Sequence, residues 1–454
     1  MLKIDNILYE IQGEFLNGNL VNDDKIASIN SNDLGYILSH IDDSAVEPMI
    51  SSIIKSAAQK LPEIIPELSK PVLIKTLGIL YQSNRPDIIT KIFNELDIDD
   101  GAQIIASIPQ KLSKWILKVI DLEDYSEVKE LFKYPEESSG RIMTPEFFSV
   151  DQNNTILETF NQLKITRDDA ETIYYIYIVD GGQKLVGVAS IRDLLFRANE
   201  VKMSEIMIQE VVSVKVTDDQ EKASRLVEHY NLSALPVLDD DGVIRGIITV
   251  DDVIGIIRHE TTEDIMKLAG TASGELNKDS PFRSFRLRVP WLMVSFTGGL
   301  LTVKIMNELT TVISNIVYLV FIPVILGMGG NVASQSSAII VRGLAIGQIH
   351  VNKIWTVLWQ EVFTALLLGF FFGVLLYFTS QWEFQGVVNL GFAVALGIMF
   401  SMLLAAFFST ALPIFFHKIS IDPAVATGPF VTVSIDILGI LIYIAAIQIV
   451  ESFS

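Results

Sequence analysis

Five apolar stretches, at 289–306, 312–341, 355–380, 387–416 and 424–450, crowd into the last third of the chain. Each is long enough to cross about 30 Å of hydrocarbon. A backbone in lipid must satisfy its own N–H and C=O groups, so this pattern commits the segment to membrane-spanning helices. The same third, 289–454, holds six acids and four bases, a net of −2; the whole chain carries −20, leaving −18 on residues 1–288. A soluble, strongly acidic portion therefore precedes a five-span membrane domain, and it is long enough for two cored domains. Its charge argues against nucleic acid as a partner and for cations.

The chain has no cysteine, which excludes disulfides and thiolate metal sites. The start, MLKIDNILYEIQGEF, lacks an uninterrupted apolar core and carries early acids, so no cleaved leader is expected. Arg283, Arg286 and Arg288 before the first span, Arg342 and Lys353 around the second-to-third turn, and Lys418 after the fourth span predict a cytoplasmic N-terminus. Five spans then place the C-terminus outside.

Asp436 lies deep in the fifth stretch, with no lysine or arginine in 424–450. Such a carboxylate costs roughly 2.5–3.5 kcal/mol on insertion scales and marks a bundle interior or a wet path. Asp422 stands fourteen residues earlier; on one continuous helix the two share a face, about 21 Å apart along the axis. Asp422-Pro423 also reads as a helix start, where an acid caps. Glu308, at the outer end of the first span, would sit at the opposite mouth. The second stretch is interrupted by 327–337, GMGGNVASQSS, which suits either close helix packing or a pore lining. Asn331 and Gln335, one turn apart, favour the lining, with Gly329, Gly330 and, in the fifth stretch, Gly428 beside them. Carboxylates and carbonyls suit hard cations. A sparse set of them suits Mg²⁺, which keeps several waters.

Residues 135–257 contain an internal repeat. Ile142-Met143 recurs as Ile206-Met207; Asp180-Gly181 with Gly187-x-x-Ser190-x-x-Asp193 recurs as Asp241-Gly242 with Gly246-x-x-Thr249-x-x-Asp252. Strands are expected at 173–179 and 235–238, each before an Asp-Gly turn. The repeat resembles a tandem pair of cystathionine-β-synthase-type (CBS) domains, whose adenine-nucleotide signature Ser190, Asp193, Thr249 and Asp252 resemble. ATP or AMP is therefore an expected ligand, beside a purely structural strand-turn-helix. Residues 1–134 read as short helices punctuated by Pro48, Pro62, Pro66, Pro71, Pro86 and Pro109. At the end of the repeat stand Asp251 and Asp252, and the segment that follows carries Glu260, Glu263 and Asp264. Glu260, Glu263 and Asp264 share a face there, with Lys267 able to pair with Glu263 or Asp264.

The order of parts, with Tyr134-Pro-Glu-Glu-Ser-Ser-Gly-Arg141-Ile-Met-Thr144, the CBS pair, Thr262-Glu-Asp-Ile265 and Asp422-Pro-Ala…Gly428-Pro-Phe-Val-Thr-Val-Ser-Ile-Asp436, resembles the MgtE family of bacterial magnesium channels. The resemblance implies a multi-domain membrane protein: a superhelical α-helical N domain (1–134), CBS domains (135–198 and 199–257), a connecting helix and linker (258–280) and a five-helix pore domain (281–454). It implies a homodimer in the bacterial plasma membrane that selects Mg²⁺ at Asp436, with Glu308 and Asp422 on the conduction path. Internal Mg²⁺ at Asp251, Asp252, Glu260, Glu263 and Asp264 would close it. Gly255 stands where a further sensor carboxylate is expected, and 95–100 is a region to watch for N-domain ligands.

A proton-coupled divalent-cation transporter is the alternative reading. An enzyme is not expected: the five histidines (His40, His229, His259, His350, His417) are scattered, and neither Gly-x-Ser-x-Gly nor His-Glu-x-x-His occurs.

Overall fold

A computed structural model of the chain describes residues 11, 23–120, 128–166, 170–271, 281–309, 313, 315–346, 349, 354–385, 387, 389–419, 421–424 and 428–453. They form two units, residues 1–258 and 259–454.

The first unit opens with short helices: α1 (Asp23–Ser28), α2 (Ser31–His40), α3 (Asp43–Ser56), α4 (Leu61–Ile64), α5 (Lys70–Gln82), α6 (Pro86–Glu95), α7 (Ile98–Ser107) and α8 (Gln110–Ile116). Their starts carry the expected chemistry. Asn30 and Asp42 accept backbone N–H bonds at the caps of α2 and α3, and proline occupies the first turn of α5 and α6. One face of each is apolar; α6 buries Ile88, Ile89, Ile92 and Phe93.

The repeat follows: α9 (Ser139–Ile142), β1 (Phe147–Asp151), α10 (Ile156–Ile165), β2 (Thr172–Val179), β3 (Leu185–Ser190), α11 (Ile191–Leu195), α12 (Met203–Ile206), β4 (Val214–Lys215), α13 (Gln220–Tyr230), β5 (Ala234–Leu238) and β6 (Ile244–Thr249). In both halves the first strand pairs parallel with the second, which pairs antiparallel with the third. The repeated glycines have a packing reason. A Cβ on Gly187 would fall 2.8 Å from Met207 Cβ, and one on Gly246 would fall 2.8 Å from Met143 Cγ. Each half thus receives the methionine that precedes the other, and the Thr144–Ile247 and Val188–Ile208 bridges fasten the exchange. The turn alignment differs from the sequence reading. Asp180 accepts from Gly182 and Lys184, and its structural counterpart is Asp239, which accepts from Asp241 and Val243. The second Asp-Gly pair lies two residues later in its turn than the first.

The N-terminal helices and the second repeat share one core: Ile89, Ile92, Ala102 and Ile105 cluster with Val214, Val237, Ile248 and Val253. The first repeat has its own, around Phe148, Ile156, Ile176 and Met203. Helix α14 (Val250–Leu268) leaves the repeat and runs into the second unit.

Among the described residues, five helices there are long and apolar enough to span a membrane: α15 (Pro281–Leu309), α16 (Ile322–Ala345, extended backwards by the 3-10 turn Ile316–Phe321), α17 (Ile354–Glu383), α18 (Leu390–Lys418) and α19 (Pro429–Ser452). α18 is the most enclosed, and α16, α17 and α19 pack around it. α17 approaches it through Gly369 and Gly373, whose added Cβ atoms would lie 2.9 Å from Met399 Cα and 3.1 Å from the Ala395 carbonyl oxygen. Two sequence expectations change. The glycine-rich segment does not break its span; α16 is helical through Gly327 to Ser337. Asp422 and Asp436 do not ride one helix, because α19 begins only at Pro429 with Gly428 as its cap. The shared-face geometry expected for the two aspartates therefore does not hold.

Candidate ion sites

Asp436 sits two turns into α19, half-buried, with Ile435 and Gly439 buried on either side of it. The glycines of α16 divide by role. Gly329 is buried against α18 and α19, where an added Cβ would lie 2.9 Å from Ser401 Oγ and 3.4 Å from Ile435 Cγ2, so it serves packing. Asn331 and Gln335 are exposed on the opposite face, and Gly330 has open space around it. Amide side chains exposed on a membrane helix require water or a partner chain. Glu308 is exposed near the end of α15. Ser336, buried on α16, donates to Glu361 Oε2 of α17 at 2.6 Å, a membrane carboxylate to which the sequence reading gave no role.

A second group lies where α14 meets the membrane helices. The helix ends at Gly270, in the left-handed region at φ 72°, with Gly270 N–H bonding Lys267 O and Thr271 N–H bonding Met266 O. That cap brings the last turn of α14 against Gly428: a Cβ there would be 3.5 Å from the Lys267 carbonyl oxygen. Lys267 Nζ then reaches two carboxylates, Glu263 Oε1 and Asp422 Oδ2, each at 2.7 Å. Asp422 is also a cap, its Oδ1 accepting from Ala424 N–H at 2.8 Å. Between Glu263 and Asp264, the two partners the sequence offered Lys267, the structure picks Glu263 and adds Asp422. Burial alone would lower the lysine, but the bonds to Asp422 and Glu263 overcome it and hold the ammonium above its ordinary range. Asp264 is pushed up to about 6 by burial and by Asp422, against the pull of Lys267. On the same helix Thr261 accepts from Arg342 Nη1 of α16 at 3.4 Å. The connecting helix is thus tied to both α16 and the entrance of α19.

The third group is in the first unit. Glu171, Asp251 and Asp252 place carboxylate oxygens within 4.8 Å of one another. Asp97, Asp99 and Asp100, at the start of α7, press on the same cluster. Asp99 is only 8% exposed, and its Oδ1, like Glu171 Oε2, has no hydrogen-bond partner. Burial first, then Asp252 and Glu171, drive Asp99 up to about 9. Burial and Asp252 raise Glu171 to about 8, and burial with the neighbouring acids raises Asp100 and Asp252 to about 6. Buried charge of one sign must be neutralised by protons or by a cation.

The nucleotide signature acts locally as a helix cap. Ser190 Oγ donates to Asp193 Oδ2 and Thr249 Oγ1 to Asp252 Oδ2, both at 2.6 Å. The first pair is accessible; in the second, Thr249 is buried and Asp252 belongs to the acidic cluster.

Sequence reasoning placed Asp99 only within the 95–100 region to watch, and it did not assign Glu171. Asp99 had a signal: it lies three residues before Ala102 and six before Ile105, on the buried face of α7. An acid in an apolar stripe is an error of pattern unless it has a use. Glu171 precedes β2 in a short polar segment and offers no such signal.

Residues 322–446 match the MgtE family of divalent cation transporters, 58–137 match the MgtE intracellular N domain, and 139–200 and 203–259 each match a CBS domain. The chain is 33% identical over 355 residues to the magnesium transporter MgtE of Bacillus subtilis, covering 78% of each. It is 33% identical over 360 residues to that of Thermus thermophilus, covering 78% of this chain and 79% of the relative. A crystal structure of the cytosolic domain of the Mg²⁺ channel MgtE in complex with ATP aligns at 30% identity and a TM-score of 0.48, covering 55% of this chain and 99% of that one.

Proposed function

This chain belongs to the MgtE family and is a multi-pass transporter of Mg²⁺, and from that premise we propose that the ion crosses beside Asp436 and that internal Mg²⁺ shuts the path. Two copies of the chain form the path, each contributing α16 and α19. The exposed amides Asn331 and Gln335 on a membrane helix support this, since a second copy and water between them give those amides partners. The N-terminus and the acidic unit face the cytoplasm, as the arginines before α15 indicate. Asp436 meets Mg²⁺ with its waters retained.

Closure uses the other two groups. The observation that carries it is Asp99, buried and unpartnered at one oxygen, with Asp252, Glu171 and Asp100 as the charges acting on it. Mg²⁺ between Asp97, Asp99, Asp100, Glu171, Asp251 and Asp252 relieves that repulsion and locks the N-terminal helices onto the repeat. At Glu260, Glu263 and Asp264 it does the same for the connecting helix, which already touches α16 and the entrance of α19. To act as a switch, Mg²⁺ must bind the closed form more tightly than the open one. Asp422 and Glu308 mark the two mouths. Adenine nucleotide has its best seat at Ser190 and Asp193, the accessible copy of the signature.

The test is Mg²⁺ flux in proteoliposomes with Mg²⁺ varied on the side of the soluble unit. Wild type should close at millimolar Mg²⁺, and Asp99→Asn with Asp252→Asn should stay open there. Unaltered closure in that double variant would remove the cluster from the switch.

A further inference from the structure

Oxygen ligands suffice for Mg²⁺, yet on the connecting helix an imidazole stands among them. His259, Glu260 and Glu263 bring one donor atom each to within 4.8 Å of one another. His259 and Glu263 are four residues apart on α14, so their side chains rise from the same face, and Glu260 reaches in from the adjoining position. His259 is exposed, and Glu260 and Glu263 are half-buried. Imidazole is a poor match for Mg²⁺ and a good one for Zn²⁺, Co²⁺ or Ni²⁺.

We propose that His259, Glu260 and Glu263 form a binding site for a transition-metal dication of the Zn²⁺ and Co²⁺ class. Three protein donors leave a fourth position for water, the open arrangement of tetrahedral sites. Lys267 takes one oxygen of Glu263, at 2.7 Å, and a carboxylate has a second to offer the metal. The nearby ammonium weakens the site, and Asp264 and Asp422 offset its charge. A metal held by His259 neutralises the same carboxylates that Mg²⁺ is proposed to neutralise, so it closes the path at concentrations where Mg²⁺ alone does not. That consequence rests on the Mg²⁺ switch proposed above; the binding itself does not.

The two are separated by titrating the full-length protein in detergent with Co²⁺ in millimolar Mg²⁺, reading the visible absorption of bound Co²⁺. The Mg²⁺ keeps the oxygen-only clusters filled. Wild type should retain a saturable band, and His259→Gln should weaken it by at least about tenfold. Glu263→Gln should weaken it as well. In liposomes, His259→Gln should lose closure by micromolar Co²⁺ and keep closure by Mg²⁺. A band of equal affinity in His259→Gln, or one erased in wild type by Mg²⁺, overturns the site. Failure of Mg²⁺ to close wild type instead overturns the switch, and the Co²⁺ band then decides the site on its own.

Discussion

Lys267 Nζ lies 2.7 Å from Asp422 Oδ2, a residue 155 positions further along the chain. The same ammonium holds Glu263, so one lysine joins the end of the connecting helix to the entrance of the last membrane helix. It occupies, as a tethered cation, the kind of position that a metal would take between two carboxylates.

Removing that ammonium leaves two carboxylates facing each other. Lys267→Gln should raise flux at low Mg²⁺ about tenfold, the size expected for losing a charge-assisted bond of about 1.5 kcal/mol from the closed state. High Mg²⁺ should still close it, because a divalent cation can replace the lysine. Flux that stays at the wild-type level in low Mg²⁺ would show that the bridge does not favour closure.

Asp436→Ala should cut Mg²⁺ flux by at least about tenfold while the protein still assembles. Flux assays paired with size-exclusion profiles check it. Wild-type Mg²⁺ flux through the substituted protein would reduce Asp436 to a packing residue.

Asp99→Asn should stabilise the first unit without divalent cations by about 1–3 kcal/mol, because it removes a buried acid whose Oδ1 has no hydrogen-bond partner. The same change should weaken stabilisation by Mg²⁺. Thermal unfolding with and without Mg²⁺ measures both, and a destabilised variant in the absence of metal would contradict the picture.

The pH dependence has a definite sign. Asp252 and Asp100 at about 6, Glu171 at about 8 and Asp99 at about 9 all lie above their unfolded values, so the folded cluster binds more protons. Its contribution is complete below about pH 4 and is lost as pH rises through 6 to 9. Without Mg²⁺, hydrogen exchange at the starts of α7 and α14 should therefore quicken from pH 6 to 9, and Mg²⁺ should suppress the change. Exchange that slowed with rising pH, after correction for its intrinsic dependence, would reverse the argument.

Membrane spans were readable because hydrophobic length is a local property, and the repeat because its Ile-Met and Gly positions recur. The strands at 173–179 and 235–238 emerged within a residue of Thr172–Val179 and Ala234–Leu238. The matching of Asp180 with Asp239 was not readable, since Asp241-Gly242 imitates the first turn more closely than the residues that perform it. Nor was the break before Pro429, because 424–450 has the length and hydropathy of a single span and a helical count runs through the break unchecked.

What the amino-acid order settled alone was partition: which segments belong in lipid, which belong in water, and that an acid in the wrong medium must have a use. Those are properties of neighbours a few positions apart. Packing decided which acids meet. Asp99, Glu171 and Asp252 come together because the N-terminal helices share a core with the second repeat, and Lys267 finds Asp422 because α14 stops at Gly270 against Gly428. Electrostatic contact depends on distance through space, and only the folded chain sets that.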